Sequence, residues 1–201
     1  MNNLYTAEQV KAFEKNSFLK EGDDLCAMKE AAKQSVEILN KGYSTSEFLI
    51  LCGPGNNGGD GYFIGIGLSE LKKRVRFIDV LDDIKKSPLC DHAYNAAKGS
   101  EFINAKELKN ISTKTVVIDA IFGIGGRINL GSKLEEILSH CNKFESKVAI
   151  DVPTGLDSNT GEISQACFNA DKTITFIAYK LGQRISEGKN YCGKLILRDL
   201  G

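Results

Sequence analysis

Apolar and polar positions follow two periods along this chain. From Thr6 to Phe18 the spacing is helical, and Thr6 and Gln9 stand in capping-box register. Leu25, Met28, Ala32, Val36 and Leu39 predict a second helix over Asp24–Asn40, with Gly42 as its stop. Phe48–Cys52 (FLILC) is apolar without alternation, the signature of a strand buried on both faces. Beyond it, helical segments are predicted over Tyr62–Lys73, Asp91–Lys98 and Lys133–Asn142. In the first of these Phe63, Ile66 or Gly67, and Leu71 face inward. Strands are predicted over Val75–Leu81, Thr115–Ile121, Lys147–Val152, Thr173–Ala178 and Lys194–Leu197, with Phe102-Ile103 a short strand or turn. Strand and helix alternate from residue 45 onward. This argues for an α/β fold in which a mostly parallel sheet carries helices on both faces. No linker or repeat interrupts residues 1–201, so a single domain is expected, with the two N-terminal helices packed across the sheet or forming a subunit contact. The chain stops at LRDLG directly after a strand, which suits either an enzyme domain or a unit cut from a longer polypeptide.

Composition narrows the function classes. Lys+Arg and Asp+Glu each total 26, and a net charge of zero argues against a nucleic-acid partner. The N-terminus MNNLYTAEQV is not a secretory signal, and no apolar run reaches the roughly 18 residues of a membrane span, so a cytoplasmic protein with no membrane partner is expected. Cys26, Cys52, Cys90, Cys141, Cys167 and Cys192 show no CxxC pairing and read as small buried hydrophobes in a reducing compartment. His92 and His140 read as surface residues.

The most informative segment is GPGNNGGDG at 53–61. Gly53, Gly55 and Gly58 fit G-x-G-x-x-G after a strand, and Asp79 stands on the next strand, as in a dinucleotide-binding turn. Asn56, Asn57 and Asp60 depart from the ordinary version. The Asp60 carboxylate opposes a bare phosphate; it suits orienting a ligand hydroxyl or capping the helix. No Lys-Ser/Thr follows the glycines, which argues against a P-loop ATPase.

VVIDAIFGIGGR and KVAIDVPTGLDS set Asp119 and Asp151 near the ends of apolar strands, each followed by glycines. In open parallel sheets the ligand crevice lies at those carboxyl ends, so both carboxylates are expected beside the Asn-rich turn. Asn57, Asp119 and Thr154 offer oxygen ligands with one formal charge, which suits a monovalent cation such as potassium better than magnesium or calcium. The loop Gly123, Ile124, Gly125, Gly126, Arg127, Ile128, Asn129 is rich in N–H donors; it suits either a pyrophosphate, with help from Arg127, or a mobile surface loop with one solvated arginine. Lys180 either neutralises a phosphate, assists proton transfer or is solvated.

Taken together, GPGNNGGDG at 53–61, VIDAIFGIGGR at 117–127, AIDVPTGLDSNTG at 149–161 and YKLG at 179–182 resemble the NAD(P)H-hydrate epimerases, the YjeF N-terminal domain family. The likeness spans nearly the whole chain. It implies a Rossmann-like three-layer α/β/α sandwich, often a homodimer, and one potassium ion per subunit. The implied substrate is the hydrate of NADH or NADPH (NADHX or NADPHX), epimerised at C6 of the nicotinamide ring. A separate ADP- or ATP-dependent dehydratase, fused as a C-terminal domain in many members, then restores the coenzyme. Residue by residue, the resemblance assigns Asn56, Asn57, Gly58, Gly59 and Asp60 to substrate contact. It assigns Gly123 to Asn129 to the substrate phosphates, Asp151 to the substrate, and Asn57, Asp119 and Thr154 to potassium. Thr154 replaces the serine of many members, and GIGGR departs from their G-T-G-L, so Arg127 bears on the choice between the two hydrates.

The chemistry that this implies is protonation of the C6 hydroxyl, departure of water to leave an iminium at N1–C6, and return of water from the other face. Asp151 is the expected acid/base, with Asp60 and Lys180 as the other candidates. An NAD-dependent dehydrogenase, resting on Gly53, Gly55, Gly58 and Asp79, and a non-enzymatic scaffold module are the competing readings.

Overall fold

The computed structural model describes residues 4–18, 24–43, 47–126 and 128–200, with the side chains of residues 14–18 outside the description. Among the described residues nine strands lie, in chain order, at Leu4–Tyr5 (β1), Phe48–Cys52 (β2), Val75–Asp79 (β3), Glu101–Phe102 (β4), Val116–Ala120 (β5), Ser146–Ile150 (β6), Lys172–Phe176 (β7), Tyr179–Lys180 (β8) and Lys194–Arg198 (β9). Helices lie at Ala7–Phe18 (α1), Asp24–Gly42 (α2), Asn56–Glu70 (α3), Pro88–Ala97 (α4), Ser132–Cys141 (α5) and Gly188–Tyr191 (α6).

Seven strands form one sheet in the order β4-β3-β2-β5-β6-β7-β9, and every pairing in it is parallel. The order runs outward in both directions from β2 and β5, the Rossmann-like arrangement, and the reversal between those two strands marks where a ligand crevice opens. The all-apolar β2 is buried at every position. Phe48, Ile50 and Cys52 enter a core shared with α2, α3 and α4, whereas Leu49 and Leu51 enter a second core with Leu134, Ile137 and Leu138 of α5. Opposite faces of one strand thus feed two helical layers, which gives the α/β/α sandwich expected from the sequence.

The main departure is the start of α3. It begins at Asn56, six residues before the expected Tyr62, so NNGGD is not a turn but the first turns of the helix. The glycines permit this by close approach. A Cβ on Gly58 would stand 1.8 Å from the Gly53 carbonyl oxygen, and one on Gly65 would stand 2.1 Å from the Phe77 ring. The buried face is consequently Tyr62, Ile64, Gly65 and Leu68. Leu71 is exposed, and Phe63 and Ile66 are only half-buried against the core. The glycine face of α3 lies on the sheet, so its apolar residues alone do not mark its inward side.

Elsewhere the pattern held more closely. Thr6 and Gln9 form the capping box: the Thr6 N–H donates to Gln9 Oε1 (2.9 Å) and the Gln9 N–H to Thr6 Oγ1 (3.3 Å). Helix α4 starts earlier than expected, at Pro88, because Ser87 caps it through the Cys90 N–H. The pairing of β1 with β8 was not foreseen; strands of two residues carry no periodic signal. No helix among the described residues is long and apolar enough to cross a membrane. Of the six cysteines, Cys26 is exposed, against expectation, and the other five are buried.

Candidate active site

A cavity of about 760 Å³ opens at the carboxyl ends of β2, β5 and β6, walled by the start of α3, the loop after β5 and one side of α2. Asn56, Asn57 and Asp60 line it from α3, Gly123, Ile124 and Gly125 from the loop, and Asp151 from the end of β6. Three separate sequence motifs therefore meet in one space.

Asp151 sits where β6 ends. Its N–H donates to Ile174 O (2.7 Å), continuing the sheet by one residue, and its φ of +67° then turns the chain away. Aspartate tolerates this left-handed region better than most residues, and the kink presents its carboxylate to the cavity. Behind it lies Lys180, 1% exposed, whose Nζ forms an ion pair with Asp151 Oδ1 and donates to Thr175 Oγ1 (2.8 Å) and Phe176 O (3.0 Å). Three acceptors occupy all three N–H groups of the ammonium. Of the three roles open to Lys180 in the sequence, neutralising a phosphate and standing in solvent are thus set aside. Thr175 Oγ1 also donates to Asp151 Oδ1 (3.2 Å), and Gln183 Nε2 to the Asp151 carbonyl (2.7 Å). Thr175 and Gln183 were missed in the sequence; a threonine amid the buried TITF strand was the available signal.

Asn57 Nδ2 donates to Ile150 O (3.2 Å), which pins the start of α3 to the residue before Asp151. Gly123 lies against both side chains: a Cβ there would stand 2.9 Å from Asp151 Oδ2 and 3.7 Å from Asn57 Oδ1. The amide oxygen of Asn57 thus faces the same corner as the carboxylate.

Asp119 is fully buried. Its Oδ2 accepts the Thr154 N–H (2.7 Å), and its Oδ1 accepts the Thr154 hydroxyl (2.8 Å) and the Ile121 N–H (3.2 Å). Thr154 Oγ1 in turn accepts the Phe122 N–H (3.3 Å), so the pair also anchors the loop that leads to Gly123. Among the described residues no lysine or arginine forms an ion pair with Asp119, and burial pushes its carboxyl up to about 6 despite those three donors.

Other expectations divide. Asp60 lies more than one turn inside α3 rather than at its start. The N-cap is Gly55, with no side-chain cap, so the capping role set out for Asp60 does not apply, and its side chain lines the cavity. Gly58 and Gly59 are buried within α3, Gly58 against the strand end and Gly59 against Met28. Gly126 turns the loop back through its N–H to Gly123 O (2.9 Å), and Ile128 and Asn129 are exposed and lie outside the described cavity wall. Arg127 lies outside the described residues. Asp79 does not line the cavity but pairs with Lys86 (2.5 Å), which removes the ribose-binding acid on which a dehydrogenase reading rested. The apolar side of the cavity, formed by Ala27, Met28 and Ala31 of α2 with Phe176 and Leu200, carried no sequence signal.

Comparison with known proteins bears on this constellation. The family model described as YjeF-related protein N-terminus matches residues 25–182. An NAD(P)H-hydrate epimerase of Weissella koreensis is 30% identical over 100% of this chain and 92% of its own length. A bifunctional NAD(P)H-hydrate repair enzyme of Leishmania braziliensis is 35% identical over 88% of this chain, which spans only 33% of that protein. The chain thus covers about a third of such bifunctional relatives. The crystal structure of yeast ynu0 (YNL200c) superposes with a TM-score of 0.79 over 98% of this chain and 88% of that one, at 18% identity, which supports the fold. With the family match covering most of the sheet and all three motif loops, the chain belongs to the family of YjeF-related protein N-termini.

Proposed function

We propose that this chain is an NAD(P)H-hydrate epimerase, an isomerase that interconverts the R and S hydrates of NADH and NADPH at C6 of the nicotinamide ring. The observation that carries the reading is the Asp151 carboxylate, held by Lys180 and presented to a cavity that Asn56, Asn57 and Asp60 share with the Gly123 loop. Named relatives of nearly the same length carry that activity in their names.

In the proposed reaction Asp151 relays a proton from the Lys180 ammonium, its ion-pair partner, to the C6 hydroxyl. Water leaves as the N1 lone pair forms an iminium, and water returns to the opposite face of C6, its proton passing back through Asp151 to Lys180. The ring nitrogen supplies and recovers the electron pair, so no redox partner enters. Lys180, Thr175 and Gln183 fix the carboxylate in place. Asp60 orients a hydroxyl of the substrate from the opposite wall, and the N–H groups of the Gly123 loop receive the pyrophosphate.

A potassium ion fits Asn57, Asp119 and Thr154. Asp119 is a fully buried carboxylate with no cationic partner among the described residues, and the amide and hydroxyl oxygens add neutral donors. Bound there, potassium would supply positive charge at the loop that meets the substrate. The S epimer would pass to a dehydratase, a partnership suggested by the bifunctional names of the longer relatives.

The test begins from pure R hydrate of NADH and follows the epimers by chromatography. Equilibration faster than in a protein-free control is expected; a rate equal to the control rejects the reading.

A further inference from the structure

The cavity must receive an anionic dinucleotide, yet the charged residues of its described wall are mostly acidic: Asp24, Asp60 and Asp151 line it. Lys180, beneath Asp151, has all three N–H groups occupied and is 1% exposed. One basic side chain among the described residues lines the cavity, Lys11 of α1. We propose that Lys11 is a phosphate-binding residue of this site, an inference that rests on the epimerase reading above.

The placement of Lys11 is built into the fold. Strand β1 pairs in parallel with β8, Tyr5 opposite Lys180, so the strand that carries the Asp151 partner also holds the N-terminal segment. The Ala7 N–H donates to Asn159 Oδ1 (2.7 Å), in the loop that follows Thr154, and the capping box fixes the first turn. Ala7 and Val10 are buried, and Lys11, next to Val10 around the helix, reaches the cavity from the edge of that buried face. Lys11 is exposed and makes no ion pair among the described residues; its charge acts at longer range on the exposed Glu8 of the preceding turn, which leaves the ammonium available to a ligand. Phosphate chemistry reaches the cavity from two parts of the substrate: the pyrophosphate common to both hydrates and the 2′-phosphate of the NADPH form.

Calorimetric titration of wild type and Lys11→Met with ADP-ribose and with 2′-phospho-ADP-ribose tests the contact without turnover. A dissociation constant raised roughly three- to tenfold for both ligands, as for a partly exposed charge-assisted contact, and restored by Lys11→Arg, places Lys11 on the pyrophosphate. A rise for 2′-phospho-ADP-ribose alone places it on the 2′-phosphate. Unchanged affinity for both ligands overturns the inference. In the epimerisation assay the same variant should raise KM and leave kcat within about twofold. A wild type that binds ADP-ribose but does not epimerise rejects the enzyme reading while leaving the binding test of Lys11 intact.

Discussion

Asp151 and Lys180 meet because the backbone enters the left-handed region at Asp151 itself and again at Ile177, three residues before Lys180. Asp151 has φ +67° at the end of β6, and Ile177 has φ +68° between β7 and β8. For a β-branched residue that conformation is a true outlier, costing on the order of 1–3 kcal/mol. The turn at Ile177 brings Lys180 back so that its Nζ bonds Phe176 O and Thr175 Oγ1 as well as the Asp151 carboxylate. Such strain is retained where the surrounding structure over-determines it, and here it aims an ion pair at the cavity.

Breaking this pair should separate stability from catalysis. Lys180→Met and Asp151→Asn each leave one buried partner alone, and each should lose about 3–5 kcal/mol of stability. Combining them removes both charges and should recover much of that loss, because a buried pair replaced by neutral groups costs little. Turnover should stay about 10²- to 10⁴-fold down in the double variant. Denaturant unfolding and the epimer assay check the two halves; a stable double variant with wild-type turnover rules out Asp151 as the acid/base.

Close packing at the start of α3 makes a second prediction. Gly58→Ala puts a Cβ 1.8 Å from a backbone oxygen that cannot move aside, whereas a Cβ on Gly99 meets nothing within 4 Å. The first substitution should cost at least about 3 kcal/mol, the upper end of overpacking effects, and the second should change stability by less than about 1 kcal/mol. Melting temperatures of the two variants decide the matter, and equal values would contradict the close approach of α3 to the β2 end.

The same glycines explain what was legible in the sequence. The FLILC, VVIDA and KVAI runs announce buried parallel strands, because burial on both faces removes the alternation that exposed strands need. The carboxylates at their ends then fall at the crevice by topology alone, so Asp119 and Asp151 were readable. Helix α3 was misplaced at its start because glycine is a poor helix former in isolation. Here backbone proximity to the sheet selects it, a tertiary effect no local pattern encodes. Gln183 and Lys11 reach the site by way of β8, whose two-residue pairing with β1 leaves no periodicity to read, whereas Thr175 sits on the legible strand β7.

Thiol reactivity offers a simple check on the buried core. Burial pushes Cys90, Cys141 and Cys192 up to about 12 and raises Cys52 and Cys167 as well, so these thiols are both inaccessible and protonated near neutrality. Cys26 is exposed on α2. Brief alkylation of the native protein should add one label, at Cys26, and denaturation should allow all six, counted by intact mass. Rapid labelling of Cys52 would mean that the β2 core opens readily.

The proposed potassium site predicts a pH-dependent response to salt. Without a cation, the buried Asp119 carboxyl stands at about 6, against 3.8 for an ordinary aspartate. Between those values the fold binds more protons than the unfolded chain, so Asp119 makes stability fall as pH rises from about 4 to about 6. The full cost above that window is about 3 kcal/mol in order of magnitude. Potassium binds the ionised carboxylate and stabilises the fold by mass action, so its effect should be absent near pH 4 and present near pH 8. In melting experiments, potassium chloride against choline chloride should raise Tm by roughly 5 °C near pH 8 and by almost nothing near pH 4. Asp119→Asn should abolish the salt response and remove the fall in stability that Asp119 contributes between about pH 4 and about pH 6, while lowering the baseline, since the amide presents a donor to the Thr154 N–H or hydroxyl. A potassium response that persists in Asp119→Asn would move the ion elsewhere, and none in the wild type near pH 8 would remove it.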